Sequence, residues 1–209
     1  MRIRKGIILL LLGASALIAC RSASPTPTVV PSPTTVPTEV APAPTPVETP
    51  APVVLKPPDL VLKAGSGEQP ATIGPFFWVL DSGFAGETTA PGLVPTSEQP
   101  LAVRSGETLS FAFSEDRIPE KVSLAVYPQE GNYEPISPAP DAPKGFVATT
   151  DPVVTAEPEL SGAGFQWTMP ELSPGAYFLR VEVEWPQHPK NPRPDKVPRA
   201  VYAFWIRVS

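Results

Sequence analysis

One cysteine and one histidine in 209 residues leave little from which to build a redox, thiol or metal centre. With Cys20 alone, no internal disulfide can form and no cysteine cluster can hold zinc or iron. With His188 alone, a zinc site would have to rest almost wholly on carboxylates, which is unusual for that metal. A Ser-His-Asp relay needs its histidine on a rigid support, whereas His188 lies between prolines in Trp185-Pro186-Gln187-His188-Pro189-Lys190-Asn191-Pro192. Aromatic residues are absent before Phe76, and the 9 Phe, 4 Trp and 4 Tyr all lie at or beyond it. There is no glycine-rich phosphate loop, no Gly-x-Ser-x-Gly, no Ser-x-x-Lys and no EF-hand loop. No cofactor and no metal are expected, and an enzyme is not.

Long apolar runs are also scarce, and the one that exists is placed at the start. Arg2, Arg4 and Lys5 are followed by a stretch from Gly6 to Ala19 without a charge. A bilayer span needs about 20 apolar residues, and Arg21 with the proline-rich stretch behind it could not continue one. This is the pattern of an export signal. Its ending, Leu17-Ile18-Ala19-Cys20, resembles the lipobox of bacterial lipoprotein signal peptides at every position. The resemblance implies cleavage between Ala19 and Cys20, lipidation of the Cys20 sulfur, and a membrane partner reached through the N-terminal lipid. Since each buried methylene contributes about 0.8 kcal/mol, the two or three chains carried by such a cysteine make a durable anchor. The implied location is the extracytoplasmic face of the cell membrane. Where the envelope has two membranes, Arg21 after the cysteine implies release toward the outer one.

Between Pro25 and Pro58 there are 12 prolines and 7 threonines. Closely spaced prolines remove backbone donors and hold φ near −65°, which favours extended polyproline II over helix or central strand. Residues 20–58 therefore read as a lipidated cysteine followed by a disordered, semi-rigid spacer. At about 3.1 Å per residue it could reach on the order of 100 Å.

Residues 59–209 read as one domain, long enough for a single core. Helical periodicity is missing, while period-2 alternation is frequent. Leu109, Phe111 and Phe113 alternate with small polar residues; Val122, Leu124 and Val126 do the same, as do Phe165, Trp167 and Met169. The clearest strands close the chain: Tyr177, Leu179, Val181 and Val183, then Tyr202, Phe204, Ile206 and Val208. Weaker candidates lie at 60–62, 76–80, 101–103 and 146–149. About seven to nine short strands between Pro and Gly turns predict an all-β, antiparallel sandwich. Phe76-Phe77-Trp78 must place rings on both faces of its strand, so a strand buried on two sides is expected there.

Leu172-Ser173-Pro174-Gly175-Ala176-Tyr177 resembles the tyrosine-corner turn of immunoglobulin-like and fibronectin-type domains. In that family the tyrosine hydroxyl bonds back to the preceding turn. The segment from Pro95 to Phe113, two short strands about the Arg104-Ser105-Gly106-Glu107 turn, is similar to the opening strands of bacterial Ig-like modules. The core cysteine pair of antibody domains is missing.

Charge supplies the remaining signal. Without Arg2, Arg4 and Lys5, 13 of the 16 basic residues remain against 21 acidic ones, a net of −8, which argues against nucleic acid. Against that background the stretch 186–199 carries Lys190, Arg193, Lys196 and Arg199 with a single acid, Asp195. As a connection between terminal strands it is far longer than the usual two to five residues. Trp185, His188, Lys190, Arg193, Lys196 and Arg199 are thus the candidate contacts to an anionic envelope component or protein. Carboxylates two apart on a strand, Glu182/Glu184 or Glu157/Glu159, stand about 6.5 to 7 Å apart on one face, and Glu115-Asp116 form a further pair. The leading expectation is a monomeric, non-enzymatic binding or accessory module of the envelope. A loop-presenting protease inhibitor, an acidic-pair hydrolase and a structural spacer are the alternatives.

Overall fold

A computed structural model describes residues 55–89 and 92–209. The signal segment, Cys20 and the tether as far as residue 54 lie outside the described residues. Among those described there is no helix, and there are thirteen strands: β1 (Leu60–Ala64), β2 (Gly67–Pro70), β3 (Thr72–Val79), β4 (Ala85–Thr88), β5 (Leu101–Val103), β6 (Thr108–Phe113), β7 (Lys121–Pro128), β8 (Tyr133–Pro135), β9 (Lys144–Phe146), β10 (Val154–Ala156), β11 (Gly164–Thr168), β12 (Gly175–Glu184) and β13 (Arg199–Val208). One sheet runs β11-β6-β1-β2. A larger sheet runs β10-β7-β12-β13-β3-β4, with β5 beside the end of β13 in the one parallel pairing among the described strands, and β8 pairs β9 in a separate two-stranded sheet. The architecture is an all-β sandwich. The strands beyond the expected number are β2, β4, β8 and β10, each of only three or four residues and too short to show a clear period-2 pattern.

The period-2 pattern has a direct physical outcome. Leu109, Phe111 and Phe113 of β6 meet Leu179, Val181 and Val183 of β12 and Tyr202, Phe204, Ile206 and Val208 of β13 in one buried cluster. Phe111 stacks on Phe165 with centroids 4.4 Å apart, and Trp78 meets Trp185 edge-on at 4.9 Å. Burying each such side chain stabilises the fold by about 1.5–3 kcal/mol.

In β3 the alternation breaks. The register against β13 passes from Ala200↔Phe76 to Tyr202↔Ile73, so one extra residue of β3 is accommodated at a bulge around Gly74 and Pro75. Proline, lacking an N–H, is tolerated there as it is not in a regular central ladder. The shift lets Ile73, Phe76 and Trp78 all serve the inter-sheet core, while Phe77 is buried on the opposite face. A Cβ at Gly74 would overlap Leu93, so glycine is needed for the close approach.

The outer face of the larger sheet carries a second buried cluster, in which Leu93 and Phe146 cover Tyr127, Phe178 and Ala203. Phe146 stacks on Phe178 at 4.8 Å, and Tyr133 on Trp205 at 5.9 Å. Its cover is the segment 129–150, built around fully buried Asn132. The Asn132 amide donates to Pro128 O at 2.8 Å and Thr150 Oγ1 at 2.7 Å, and its oxygen accepts from Thr149 N at 2.8 Å.

The last four residues of the expected spacer belong to the packed domain. Pro57 and Pro58 are buried, Leu55 occupies the space a Cβ at Gly86 would need, and the buried Tyr202 hydroxyl donates to Pro58 O at 2.7 Å. Burial pushes the Tyr202 hydroxyl pKa far up, so it remains a donor.

Candidate functional site

The candidate loop joins the two longest strands, β12 and β13, and it is folded onto the protein. Trp185, expected among its contact residues, is a core residue with no exposed surface; its indole donates to Arg117 O at 3.2 Å. That corrects its role: Trp185 is the last inward position of the β12 alternation and is closed to a partner.

His188 sits with its side chain largely covered, Nε2 3.4 Å from Asp81 Oδ1, while its Nδ1 accepts from Lys190 N at 3.2 Å. The same Asp81 oxygen is bound by Arg117 at 2.7 Å, and Arg117 lies over the Trp78 ring at 4.5 Å. Lys190 donates to Asp81 O at 2.9 Å. Arg193 and Lys196 close on Glu87 of β4 at 3.0 and 2.6 Å, each within 6 Å of the Phe77 ring centre, at 5.6 and 5.7 Å. The bond from Lys196 is the main cause holding the Glu87 carboxyl below its ordinary range. Three of the four expected basic contacts are therefore engaged within the chain by the β3–β4 hairpin. Arg193 and Lys196 form a cationic roof over Phe77, the aromatic that strand alternation places opposite Phe76 and Trp78.

The residue that shapes this loop from within carries no charge. Asn191 donates to Gln187 Oε1 and to Lys196 O, both at 2.7 Å, and its own oxygen accepts from Arg193 N at 2.9 Å. An asparagine directly before a proline, as in Asn191-Pro192, is a turn signal. Its partners five or fewer residues away could have suggested a self-bonded loop.

Arg199 differs from the other three. As the first residue of β13 it is exposed, opposite Glu184 of β12 in register, and neither appears in an ion pair among the described residues. Both face a groove of 290 Å³ on the outer side of the sheet, bounded by Pro75, Phe77, Glu87 and Thr88 and floored by Val201. Arg180 lies further along and is bonded to Glu182 at 2.6 Å. A contiguous hollow of 170 Å³ shares Pro75, Arg180 and Val201 and continues to Leu93 and Phe146. The groove is thus charged at one end and apolar at the other, with the β3–β4 hairpin as one wall and, at the apolar end, Phe146 and Ala148 of the 129–150 cover as the other.

The acidic pairs are dispersed. Glu115 and Asp116 are exposed in the β6–β7 connection; Glu157 is exposed and 3.4 Å from Lys121; Glu182 and Glu184 share one face of one strand. Paired-acid hydrolysis needs two carboxyl groups on opposite sides of a bound substrate. No group of three or more potential metal ligands occurs among the described residues.

No protein family description and no curated protein sequence matches this chain. Among solved structures, the extended catalytic domain of H. jecorina LPMO9A, also called EG4, is similar with a TM-score of 0.37 and 13% identity over 72% of each chain.

Proposed function

We propose that this chain is a lipid-anchored, extracytoplasmic envelope protein whose Ig-like sandwich recognises another envelope component without catalysis. The anchor reading is supported by Leu17-Ile18-Ala19-Cys20 behind a basic, uncharged-then-proline-rich N-terminus. The Ig-like reading is supported by Tyr177, whose hydroxyl donates to Ser173 O at 2.9 Å in the manner of a tyrosine corner.

One observation carries the binding role: a groove in which Glu184 and Arg199 stand opposed without ion-pair partners among the described residues. The anionic-partner reading of the basic loop contracts accordingly. Lys190, Arg193 and Lys196 hold the loop in place, and Arg199 is the cation offered to a ligand. Two measurements test this. Replacing Cys20 by serine should move the protein from the membrane to the soluble fraction and abolish the acyl mass on the N-terminal peptide; an unprocessed Met1 terminus in cells would overturn the anchor. Capture of envelope material by the wild-type chain, lost in Arg199→Gln and retained in Lys190→Gln, is expected of the groove, and equal capture by all three rejects it.

A further inference from the structure

The ligand class follows from how charge and apolar surface are distributed along this groove, and the inference rests on the groove being a recognition site. Glu87 is occupied by Arg193 and Lys196, and Glu182 by Arg180. Among the described residues Glu184 and Arg199 make no such pair, although they face each other across β12 and β13. An exposed pairing between them would be worth at most about 1 kcal/mol, so a ligand bearing both charges displaces it at little cost. From Arg199 to the row of Ala203 is four residues, about 13 Å at 3.3 Å per residue. At that far end lie Leu93 and Phe146, with Pro75 and Val201 on the way. The intervening stretch is polar, lined by Arg180, Glu182 and Thr88.

We propose that the groove binds an extended peptide of about four residues, carrying adjacent opposite charges at one end and an aliphatic side chain at the other. A carboxyl-terminal lysine or arginine meets the first requirement most simply. Its carboxylate accepts from the Arg199 guanidinium and its side-chain cation donates to Glu184, both charge-assisted bonds of the stronger kind. The peptide backbone crosses the polar middle, where an acyl chain would leave Arg180 and Glu182 desolvated against hydrocarbon. The aliphatic residue, three positions earlier, covers Val201 and the edge of Phe146.

The test is an amide-shift titration of the isotope-labelled mature chain, purified in detergent, with the peptide Leu-Ala-Ala-Lys. Shifts are expected at 180–184 and 199–201. Affinity should fall about tenfold or more on amidation of the peptide carboxylate, on Leu→Gly in the peptide, and in Arg199→Gln or Glu184→Gln, both exposed positions whose exchange should leave the far-ultraviolet spectrum unchanged. No shift at millimolar peptide, shifts elsewhere, or binding indifferent to both variants overturns the proposal. So does perturbation of the same amides by phosphatidylethanolamine vesicles when the peptide gives none. Envelope capture that depends on Arg199 with no peptide response overturns the ligand class alone, whereas a peptide response without envelope capture upholds the ligand class and overturns the envelope partner.

Discussion

Asn132 and Gln69 are the two buried polar side chains of the described domain; Gln69 joins two sheets, and Asn132 holds one covering segment together. Gln69 of β2 accepts from Trp205 N of β13 at 2.9 Å and donates to Ser97 Oγ at 2.8 Å, tying the smaller sheet to the larger one and to the 93–97 segment. Asn132 satisfies its amide and its oxygen inside the 129–150 cover. Leaving a buried partner unpaired costs about 1–3 kcal/mol. Asn132→Leu is therefore expected to destabilise by about 2–4 kcal/mol, and hydrogen exchange should show faster amides across 129–150 than in β12 and β13; uniform acceleration would place Asn132 in the global core instead. Neither residue was legible from sequence, since an asparagine before tyrosine and a glutamine before proline look like any surface position. Apart from Pro128, four residues before Asn132, the partners that define their roles lie between 17 and 136 residues away.

At the scale of elements, the long strands were readable and the loop's destination was not. The faces of β6, β7, β12 and β13 follow from alternation because burial of every second residue is a local property of an extended chain. The docking of 186–198 depends on acids at Asp81 and Glu87, over 100 residues upstream. Its positive charge, conspicuous in a net-acidic chain, has a partner within the molecule. A titration follows. Glu87 has a folded-state pKa below its unfolded value, so its contribution is fully present above the ordinary glutamate range near 4.3 and is lost as pH falls through the lower folded value. Proteolysis within 186–198 should accelerate below about pH 4, and Glu87→Gln should bring the same susceptibility at pH 7. An unchanged cleavage rate in that variant would show that Phe77 and the Asp81 contacts hold the loop without Glu87.

Taken whole, the domain is held by an inter-sheet core rather than by crosslinks, as a chain with a single cysteine requires. Phe111 is at its centre, stacked on Phe165 and edge-on to Phe204 at 5.6 Å. Phe111→Ala is expected to cost about 3–5 kcal/mol, read as a lower denaturant midpoint. A loss under about 1 kcal/mol would mean the outer cluster around Phe178 carries the stability.

The residues by themselves determined the strand faces, the sandwich class and the exclusion of disulfide and cysteine-cluster chemistry, because alternation and composition act within a few positions or through simple absence. Tertiary structure decided which charges are engaged, that Arg193 and Lys196 close over Phe77, and that Arg199 and Glu184 share a groove. Those outcomes depend on which distant strands lie side by side. Charge counted along a chain says how much there is, and only the fold says what each charge meets.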